Sequence, residues 1–435
     1  MARFLLGSTP ATGHVAPACP IARELIVRGH DVWWYGGKKF QANIEGAGAR
    51  FVPMVKACDF DDSDFDRAFP GRTQVKGLAK AKFDVRHVFL DPVAGQVADL
   101  EAILDAFPAD VILSDFTLAN AIVTERGGPP SANYSVSFLP IDSRDLPPAG
   151  MGVLPSASRI GKLRNRVIKH IGNMLFRSEQ AYYMQIRAAL GLPRNNRPLT
   201  AQFAQYLYLQ GSTESFEYPR RDLPPYVHFV GPLLPPRLAN FSPPTWWGKL
   251  TGGRPVVLVT QGTLATDPNA LIVPTLRALA NDDLLVIATA NPAKLRGIPA
   301  NTHCEPFIPF MELMPFVSVL VTNGGYGGVQ TALAHGVPIV AAGATEDKPE
   351  IANRIQWSGV GLNLKTATPT TEQIHSAVKT TLFDSRYRQN AQRIQVDIAR
   401  HNSPAEAAAL LEQLAVTRQP VHRDSIRTLA GTATR

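Results

Sequence analysis

Short apolar segments alternate with helix-like segments along most of the chain, and the alternation occurs in two separate series. The first series opens with the apolar segment Arg3–Gly7, continues with a helix-like segment from Ala18 to Arg28, and adds a strand-like segment at Asp31–Tyr35. Further strand-like segments follow at 51–53 and 111–114, and in the second series at 256–259, 284–288, 317–321 and 338–341. Such alternation is typical of parallel sheets covered by helices on both faces, so we predict an α/β fold with two doubly wound domains.

Prolines cluster between Tyr218 and Pro244, where they separate the two series. A chain of 435 residues with 45% hydrophobic content can bury two ordinary cores. We predict an N-terminal domain over residues 1–220, an interdomain linker over 221–250, a C-terminal domain over 251–415, and a basic, disordered tail over 416–435. The carboxyl edges of the two sheets would face each other across a cleft.

The cysteine content and the charge pattern argue against several classes of protein. Cys19, Cys58 and Cys304 lie far apart in the sequence, which disfavours a disulfide framework and a thiolate metal site. The sequence contains no stretch of about twenty apolar residues and no secretory signal pattern, so we expect a soluble, cytoplasmic protein. The formal net charge is +8, but the basic residues are scattered, and we expect no nucleic-acid partner.

The segment from Arg159 to Arg177 combines basic residues with apolar residues at helical spacing. Its apolar residues are Ile160, Leu163, Val167, Ile171 and Met174. We expect an amphipathic helix whose apolar stripe packs on the core beneath a solvated basic face. A peripheral contact of this helix, residues 159–177, with the inner face of a membrane stays open as the alternative.

His14 lies in the glycine-bearing turn that joins the first predicted strand to the first predicted helix. In a parallel sheet this turn is at the carboxyl edge, where open sheets of this kind bind ligands. Imidazole titrates near neutral pH, so a histidine held there can take a proton from a substrate hydroxyl. A solvated loop histidine without a chemical role is the alternative.

A second turn, Thr322–Gln330, contains four glycines between a predicted strand and a predicted helix. Glycines let backbone N–H groups approach a ligand, and a helix N-terminus favours negative charge, so a phosphate or diphosphate is the expected ligand. The turn matches neither the Walker spacing nor the dinucleotide-binding pattern, and an ordinary turn stays open. Farther along, Gly343–Pro349 places two carboxylates and a lysine at the end of a predicted strand, which suits a polyhydroxylated ligand.

A family resemblance covers nearly the whole chain, and three stretches carry it. They are the opening Gly13–Pro17 with Arg28–Val32, the linker segment Leu223–Leu233, and the block Phe307–Gly361. The block is the most specific, because Phe307-Ile308-Pro309, the glycine turn, Gly336-Val337-Pro338 and Asp347 occur at family-like spacing. The chain resembles the family 1 nucleotide-sugar-dependent glycosyltransferases, which include the UDP-glycosyltransferases and have the GT-B fold of two Rossmann-like domains.

The resemblance implies an inverting, metal-independent hexosyltransferase that uses a nucleoside-diphosphate sugar as co-substrate and needs no other cofactor. Its acceptor would be a hydroxyl of an apolar small molecule or lipid, as in secondary-metabolite or glycolipid biosynthesis. His14 matches the family's general base, and Asp115 matches the aspartate that pairs with it. A carboxylate on one ring nitrogen fixes the tautomer and stabilises the imidazolium that forms when the other nitrogen accepts a proton. A helix cap is the alternative role for Asp115.

The resemblance also implies a donor site in the C-terminal domain. Phe307 matches the residue that stacks on the base, Ile308 the residue whose backbone meets the base, and Thr263 a hydroxyl near the phosphates. The implied donor-binding residues are Gly262, Thr263, Phe307, Ile308, Asn323, Gly324, Gly325, Tyr326, Gly327, Gly328, Asp347 and Lys348.

The sequence departs from the family pattern at three of the donor positions. Asn323 stands where most relatives have histidine, Thr331 replaces the glutamate that accepts from the ribose hydroxyls, and Lys348 replaces a glutamine. Loss of the ribose-reading carboxylate makes a dTDP-sugar more plausible than in most relatives. By family frequency a UDP-sugar stays the first choice and a dTDP-sugar the second.

Other functions and other site residues stay open at this point. The alternatives are a nucleotide-sugar epimerase on a similar scaffold and a non-catalytic protein that binds a sugar nucleotide. The acidic segment Asp59–Asp66 lies in an irregular insertion, and we expect a solvated loop there rather than a metal site. Phe83, Phe89 and Phe138 lie in the two irregular insertions, 56–91 and 137–155, and are candidates for the acceptor pocket or for core packing.

Overall fold

The computed structural model describes residues 1–115, 117–156, 158–203, 205–238, 240–262 and 267–423. The strands in these ranges are β1 (Arg3–Gly7), β2 (Asp31–Gly36), β3 (Arg50–Pro53), β4 (Val111–Ser114), β5 (Ser131–Tyr134), β6 (Leu207–Gln210), β7 (Val227–Phe229), β8 (Val256–Thr260), β9 (Leu285–Thr289), β10 (Thr302–Glu305), β11 (Val319–Thr322), β12 (Ile339–Ala341) and β13 (Gly361–Asn363).

The α-helices are α1 (Thr12–Val15), α2 (Ala18–Val27), α3 (Gln41–Gly46), α4 (Phe65–Ala68), α5 (Gly77–Phe83), α6 (Val93–Ala106), α7 (Ala119–Glu125), α8 (Arg159–Leu175), α9 (Arg177–Ala189), α10 (Ile272–Ala278), α11 (Phe310–Leu313), α12 (Tyr326–Ala334), α13 (Lys348–Trp357), α14 (Thr371–Phe383), α15 (Ser385–Ile398) and α16 (Ser403–Thr417). A π-helix, Asp84–Leu90, continues α5.

Within the described ranges the strands form two parallel sheets. The first has the order β3-β2-β1-β4-β5-β6-β7, and the second has the order β10-β9-β8-β11-β12-β13. In each sheet the chain winds outward in one direction from a central strand, β1 or β8, and then returns to build the other half. The prediction of two doubly wound α/β domains is therefore confirmed, and the switch points lie between β1 and β4 and between β8 and β11.

The central strands are apolar throughout because both faces of each sheet are covered by helices. Phe4, Leu5 and Leu6 of β1 are fully buried, and so are Val257, Leu258 and Val259 of β8. Parallel sheets with two covered faces favour such continuous apolar segments over alternating ones. Because the strands themselves are buried, the polar residues of the site lie in the connecting turns at the carboxyl edge of each sheet.

The position of α16 corrects the predicted domain boundaries. α16 packs on α2, and its residues Ala407, Leu411 and Leu414 belong to the core of the first domain. The C-terminal domain therefore does not extend to residue 415, because the chain crosses back to the N-terminal domain near residue 403. β7, which the prediction assigned to the linker, is the edge strand of the first sheet.

The segment after α16 also differs from the prediction of a disordered tail. Val421 is buried, and its N–H donates to the carbonyl of Tyr206 at 2.8 Å. The Arg423 guanidinium donates to the carbonyl oxygens of Pro224 and Val227. Residues 418–423 are thus part of the N-terminal domain, and residues 424–435 of the predicted tail lie outside the described residues.

The basic segment at 159–177 forms α8 and the start of α9, but its apolar stripe does not pack on the core as expected. The five stripe residues are 46% to 81% exposed. The buried residues of α8 are Gly161 and Asn165. The periodicity was sufficient to predict the helix, whereas it could not show which face of the helix contacts the protein.

Candidate functional site

His14 and Asp115 meet at the carboxyl edge of the first sheet. β1 and β4 are neighbours, with Gly7 opposite Ser114, so the residues that follow the two strands emerge side by side. His14 lies in α1 after β1, and Asp115 follows β4 directly. The His14 Nδ1 atom lies 2.7 Å from Asp115 Oδ2, and the Asp115 side chain is completely buried. The structure therefore brings together the two residues that the resemblance pairs.

Backbone donors hold the Asp115 carboxylate in place. Oδ2 accepts the N–H of Thr9 at 2.9 Å, and Oδ1 accepts the N–H of Thr117 at 3.2 Å. These two donors fix the orientation of the Asp115 side chain, whose Oδ2 atom also faces Nδ1 of His14. With Nδ1 directed at Asp115, Nε2 is the ring nitrogen that can take a proton from a substrate.

A buried tyrosine holds the backbone of His14. Tyr134, at the end of β5, donates its hydroxyl to the carbonyl of His14 at 2.8 Å. Burial and then the charge of Asp115 raise the pKa of Tyr134 well above its usual value, so the hydroxyl remains a hydrogen-bond donor. Tyr134 is fully buried and serves to position α1.

The insertion at residues 56–91, which contains the acidic segment Asp59–Asp66 and is called the acidic insertion below, contacts the turn that carries His14. Asp62 is buried, its Oδ2 atom accepts the N–H of Thr12 at 2.7 Å, and its Oδ1 atom accepts from Lys39. Although burial opposes its charge, hydrogen bonds from Lys39 and Thr12 hold the pKa of Asp62 below its usual value. The expectation of a solvated loop is therefore wrong for Asp62, which fixes the first turn of α1.

The implied donor residues follow neighbouring strands of the second sheet. Phe307 comes after β10, Gly262 after β8, Asn323 after β11 and Asp347 after β12. Since all these strands are parallel, the four residues lie at the same edge, in the sheet order β10-β9-β8-β11-β12. Adjacent strands are about 4.8 Å apart, so the distance from the end of β10 to the end of β11 is roughly 14 Å.

Asn323 joins the turns after β8 and β11. Its Nδ2 group donates to the carbonyl of Gln261, and its Oδ1 atom accepts the N–H of Gly325 at 3.3 Å. Gly262 packs beside the same side chain with a φ of 72°. The neutral amide thus ties together the two turns that frame the expected phosphate position, a structural role that the sequence did not indicate.

Close backbone contacts bring the glycine turn against the start of α13. Gly324 has a φ of 94°, and a Cβ atom there would lie 3.5 Å from the carbonyl oxygen of Lys348. At Gly343 a Cβ atom would overlap the carbonyl oxygen of Asn323, so only glycine fits. Lys348 is nearly buried and pairs with Glu346. The predicted phosphate turn and the predicted sugar-binding residues are therefore contiguous.

The two residues that the resemblance assigns to the nucleobase differ in exposure, as their implied roles require. The Phe307 side chain is 76% exposed, whereas Ile308 is buried in the core of the second domain. An exposed ring can stack on a base, and a buried side chain leaves only its backbone at the surface. Both assignments stay predictions.

Of the remaining implied donor residues, Tyr326, Gly327 and Gly328 lie in α12, which also carries Thr331. Tyr326 is buried, and its hydroxyl accepts from Gln210 Nε2 of β6 at 3.2 Å, so its side chain joins the two domains. Only its backbone N–H can contact the nucleotide sugar. Thr331 donates its hydroxyl to the carbonyl of Gly327 at 2.8 Å, within α12. Gly327 and Gly328 lie in the first turn of that helix. Thr263 lies outside the described residues.

Side chains from the first domain reach the predicted sugar-binding turn. Ser137, which follows β5, donates its hydroxyl to Asp347 Oδ2. Arg72, in the acidic insertion, lies 3.5 Å from Glu346 Oε1 and pairs with Asp84 at 2.7 Å. Although burial opposes its charge, Lys348 and Arg72 hold the pKa of Glu346 below its usual value. The two carboxyl edges therefore face each other across a narrow cleft.

The three candidate acceptor residues occupy different environments. Phe138 is only 7% exposed, and the Arg354 guanidinium lies 4.6 Å from its ring centroid, so it packs between the domains. Phe83 is half-buried against His87, and Phe89 lies on the surface of the π-helix. Phe138 is thus a packing residue, whereas Phe83 and Phe89 remain candidates for the acceptor pocket.

Sequence reasoning missed Ser137 and Arg72 as individual cleft residues, whereas Glu346 is one of the two carboxylates that it predicted to suit a polyhydroxylated ligand. Ser137 could have been suspected, since it follows a strand of the same sheet as His14 and therefore lies at the same edge. Arg72 and Glu346 meet only through the packing of an insertion that has no periodic pattern, and no local signal identifies their contact.

Known proteins resemble this chain in sequence and in fold. Residues 274–414 match the model of the "Erythromycin biosynthesis protein CIII-like, C-terminal domain". Over 418 residues the chain is 44% identical to 4'-demethylrebeccamycin synthase of Lentzea aerocolonigenes, covering 95% of this chain and 99% of the relative. The chain belongs to the family 1 nucleotide-sugar-dependent glycosyltransferases.

Two further comparisons cover similar lengths. The chain is 33% identical to UDP-glycosyltransferase 2 of Phaeomoniella chlamydospora, covering 94% of this chain and 95% of the relative. The crystal structure of the calicheamicin glycosyltransferase CalG4 superposes with a TM-score of 0.75 at 22% identity, covering 96% of this chain and 99% of that one. The GT-B fold is thereby confirmed, and the protein is a hexosyltransferase that uses a nucleotide sugar.

Proposed function

We propose that this glycosyltransferase moves a hexose from a UDP-sugar to a hydroxyl of an apolar small molecule, with inversion at the anomeric carbon and without a bound metal. The observation that carries the proposal is the 2.7 Å contact between His14 and Asp115, at an edge from which Ser137 reaches Asp347 of the other domain, beside the glycine turn. A base and a leaving-group site on opposite sides of one cleft suit a single displacement.

The chemistry of the step follows from that geometry. His14 Nε2 takes the proton of the acceptor hydroxyl, and the oxygen forms a bond to the anomeric carbon. The bond from that carbon to the diphosphate breaks, and the nucleoside diphosphate leaves with the electron pair. Because attack and departure occur on opposite faces of the carbon, its configuration inverts.

The order of residues along the second sheet supports a nucleoside-diphosphate sugar as donor. Phe307 would stack on the base, the N–H groups of Gly324–Gly328 would bind the diphosphate, and Asp347 would accept from sugar hydroxyls. Backbone N–H groups at the start of α12 place partial positive charge where the diphosphate gains charge during the reaction. This charge performs the work that a cation performs in other transferases.

The choice of UDP rests on the family and on the name of the UDP-glycosyltransferase relative. Thr331 makes the dTDP-sugar the second candidate. It stands in place of a glutamate that would accept from the ribose hydroxyls, and its own hydroxyl is already hydrogen-bonded within α12. The apolar acceptor is supported by Phe83 and Phe89, which belong to an insertion that contacts the His14 turn through Asp62.

The test is a mass-spectrometric screen of the purified protein against UDP- and dTDP-hexoses with a panel of apolar, hydroxyl-bearing aglycones. We expect an adduct of one hexose with a UDP-sugar, an anomeric configuration opposite to that of the donor by NMR, and unchanged turnover in the presence of EDTA. A product that retains the donor configuration, or turnover that EDTA abolishes, would overturn the mechanism.

A further inference from the structure

α8 turns its apolar residues outward. Ile160, Leu163, Val167, Ile171 and Met174 are all exposed, and their spacing of three or four residues places them in one stripe along the helix. We call these five residues the α8 stripe. A single exposed apolar residue needs no explanation, whereas a stripe along four turns indicates a surface that contacts something.

The inner side of α8 is made of small and polar residues. Gly161 packs so closely on Ser156 that a Cβ atom there would lie 2.3 Å from the Ser156 Cβ atom. Asn165, four residues later on the same side, is buried. The helix is therefore attached to the protein by its polar side, so its outward apolar side is a consequence of the packing itself.

Cations flank the α8 stripe, and no carboxylate occurs in the sequence between Asp145 and Glu179. The basic residues of the segment are Arg159, Lys162, Arg164, Arg166, Lys169 and Arg177. Lys169 pairs with Asp142 at 3.0 Å, and Arg164 donates to the carbonyl of Leu154. Lys162 also lowers the pKa of Asp145 through its charge. Among the described residues Arg159, Arg166 and Arg177 show no ion pair within 4.0 Å, so we take their charge as available to an external partner.

We propose that the α8 stripe lies on an anionic phospholipid surface. The aliphatic side chains and Met174 would enter the boundary between headgroups and acyl chains, while Arg159 and Arg166, seven residues apart along one edge of the stripe, contact lipid phosphates. A protein partner is the less suitable occupant, since the stripe contains none of the aromatic residues that dominate protein interfaces. None of the described helices is both long and apolar enough to span a bilayer, so the contact is peripheral.

Such a contact would place the cleft close to the lipid. The segment between Ser137 and α8 contacts the start of α13 through the N–H of Gly152, which donates to Glu350 Oε1 at 2.8 Å. An apolar acceptor dissolved in the lipid could then reach the cleft without crossing water. This consequence rests on the proposed function, whereas the lipid contact itself does not.

The test is flotation of the full-length protein with vesicles of phosphatidylcholine alone and with vesicles that contain equal parts phosphatidylglycerol. We expect binding to the anionic vesicles, weakened by salt, and little binding to phosphatidylcholine. Leu163→Ser with Val167→Ser should weaken the binding at least 10-fold, and Arg159→Gln with Arg166→Gln should weaken it similarly. Val416→Ser and Arg386→Gln, at exposed positions of α16 and α15, are the matched controls.

Two results would overturn the proposal. One is binding to anionic vesicles that the α8 variants leave unchanged, which would assign it to the general positive charge of the protein. The other is absence of vesicle binding together with a dimer, by light scattering, that Leu163→Ser with Val167→Ser dissociates. No substrate enters these measurements, so their failure leaves the proposed reaction untouched, and the melting temperature of each variant reports whether it is folded.

Discussion

The guanidinium of Arg354, in α13, donates its Nε–H to Glu217 Oε2 at 2.9 Å, and both side chains are buried where the two domains meet. Arg354 also donates to Glu350 Oε2 at 3.0 Å, and its guanidinium lies 4.2 Å from the ring centroid of Tyr218. Glu217 further accepts the N–H of Leu139 at 3.0 Å. This pair therefore links the segment just before the predicted linker, the cleft segment after β5 and α13, whose N-cap is Asp347.

Removal of one partner of this pair should destabilise the protein. We expect Glu217→Ala to lower the free energy of unfolding by about 3–5 kcal/mol, because it leaves Arg354 buried with one carboxylate fewer. The control is Glu214→Ala, at an exposed position three residues away, which should change it by less than about 0.5 kcal/mol. Urea denaturation of the two variants makes the comparison, and equal stabilities would show that the pair does not hold the domains.

Acidification should weaken the attachment of the C-terminal segment. His228 Nε2 lies 2.9 Å from the carbonyl of Val421, and burial is the main cause that lowers the pKa of His228 below 6.5. The unfolded chain therefore takes up a proton below about pH 6.5 that the folded chain refuses, so this part of the stability is present above pH 6.5 and is lost as the pH falls.

His228→Gln keeps a donor for the Val421 carbonyl and removes the titration. We expect its melting temperature to fall less between pH 7.5 and pH 5.5 than that of the wild type. His170→Gln, on the surface of α8, should behave like the wild type. Identical pH dependence in His228→Gln and wild type would contradict the assignment.

Phe307 should contribute to nucleotide affinity by stacking. Stacking of a base on an aromatic ring is worth about 1–3 kcal/mol, so Phe307→Ala should raise the Kd for UDP by roughly 5- to 150-fold. Phe383→Ala is the matched control, since its ring is 73% exposed in the same domain. Calorimetric titration with UDP compares them, and equal affinities would remove Phe307 from the base site.

Asp347 should distinguish the sugar from the nucleotide. A hydrogen bond to a charged group is worth about 1.5–3 kcal/mol, so Asp347→Asn should raise the Kd for the UDP-sugar by about 10- to 150-fold and leave that for UDP unchanged. Ser137→Ala removes the hydroxyl that donates a hydrogen bond to Asp347 across the cleft, and this change should not raise the Kd for the UDP-sugar. Equal losses for UDP and UDP-sugar in Asp347→Asn would refute the sugar contact.

The fold could be predicted because its main signals are local. Strands can be recognised from continuous apolar segments such as Phe4–Leu6. The edge of a sheet can be recognised from the turn that follows a strand, such as the glycine turn at 322–330. The pairing of β1 with β4 then follows from the doubly wound topology, and it brings Asp115 to His14. The order of the donor residues along the second sheet follows in the same way.

The rest depends on packing between segments that are distant in the sequence. α16 is an ordinary amphipathic helix, and nothing local states that its apolar face covers α2 rather than the second sheet. The stripe of α8 has the same periodicity as a buried stripe, but close packing of Gly161 turns it outward. Tyr326 and Asn323 stand at ligand-binding positions of the family, yet their side chains serve the protein's own contacts.

The central claim is that His14 takes the proton of the acceptor, and one measurement tests it most directly. His14→Ala should reduce single-turnover hexosyl transfer by at least about 100-fold, because a positioned base contributes roughly 10²- to 10⁴-fold. Its Kd for UDP, measured on the same preparation, should equal that of the wild type, since the proposed donor site lies in the other domain. An undiminished rate of transfer in His14→Ala would contradict the account.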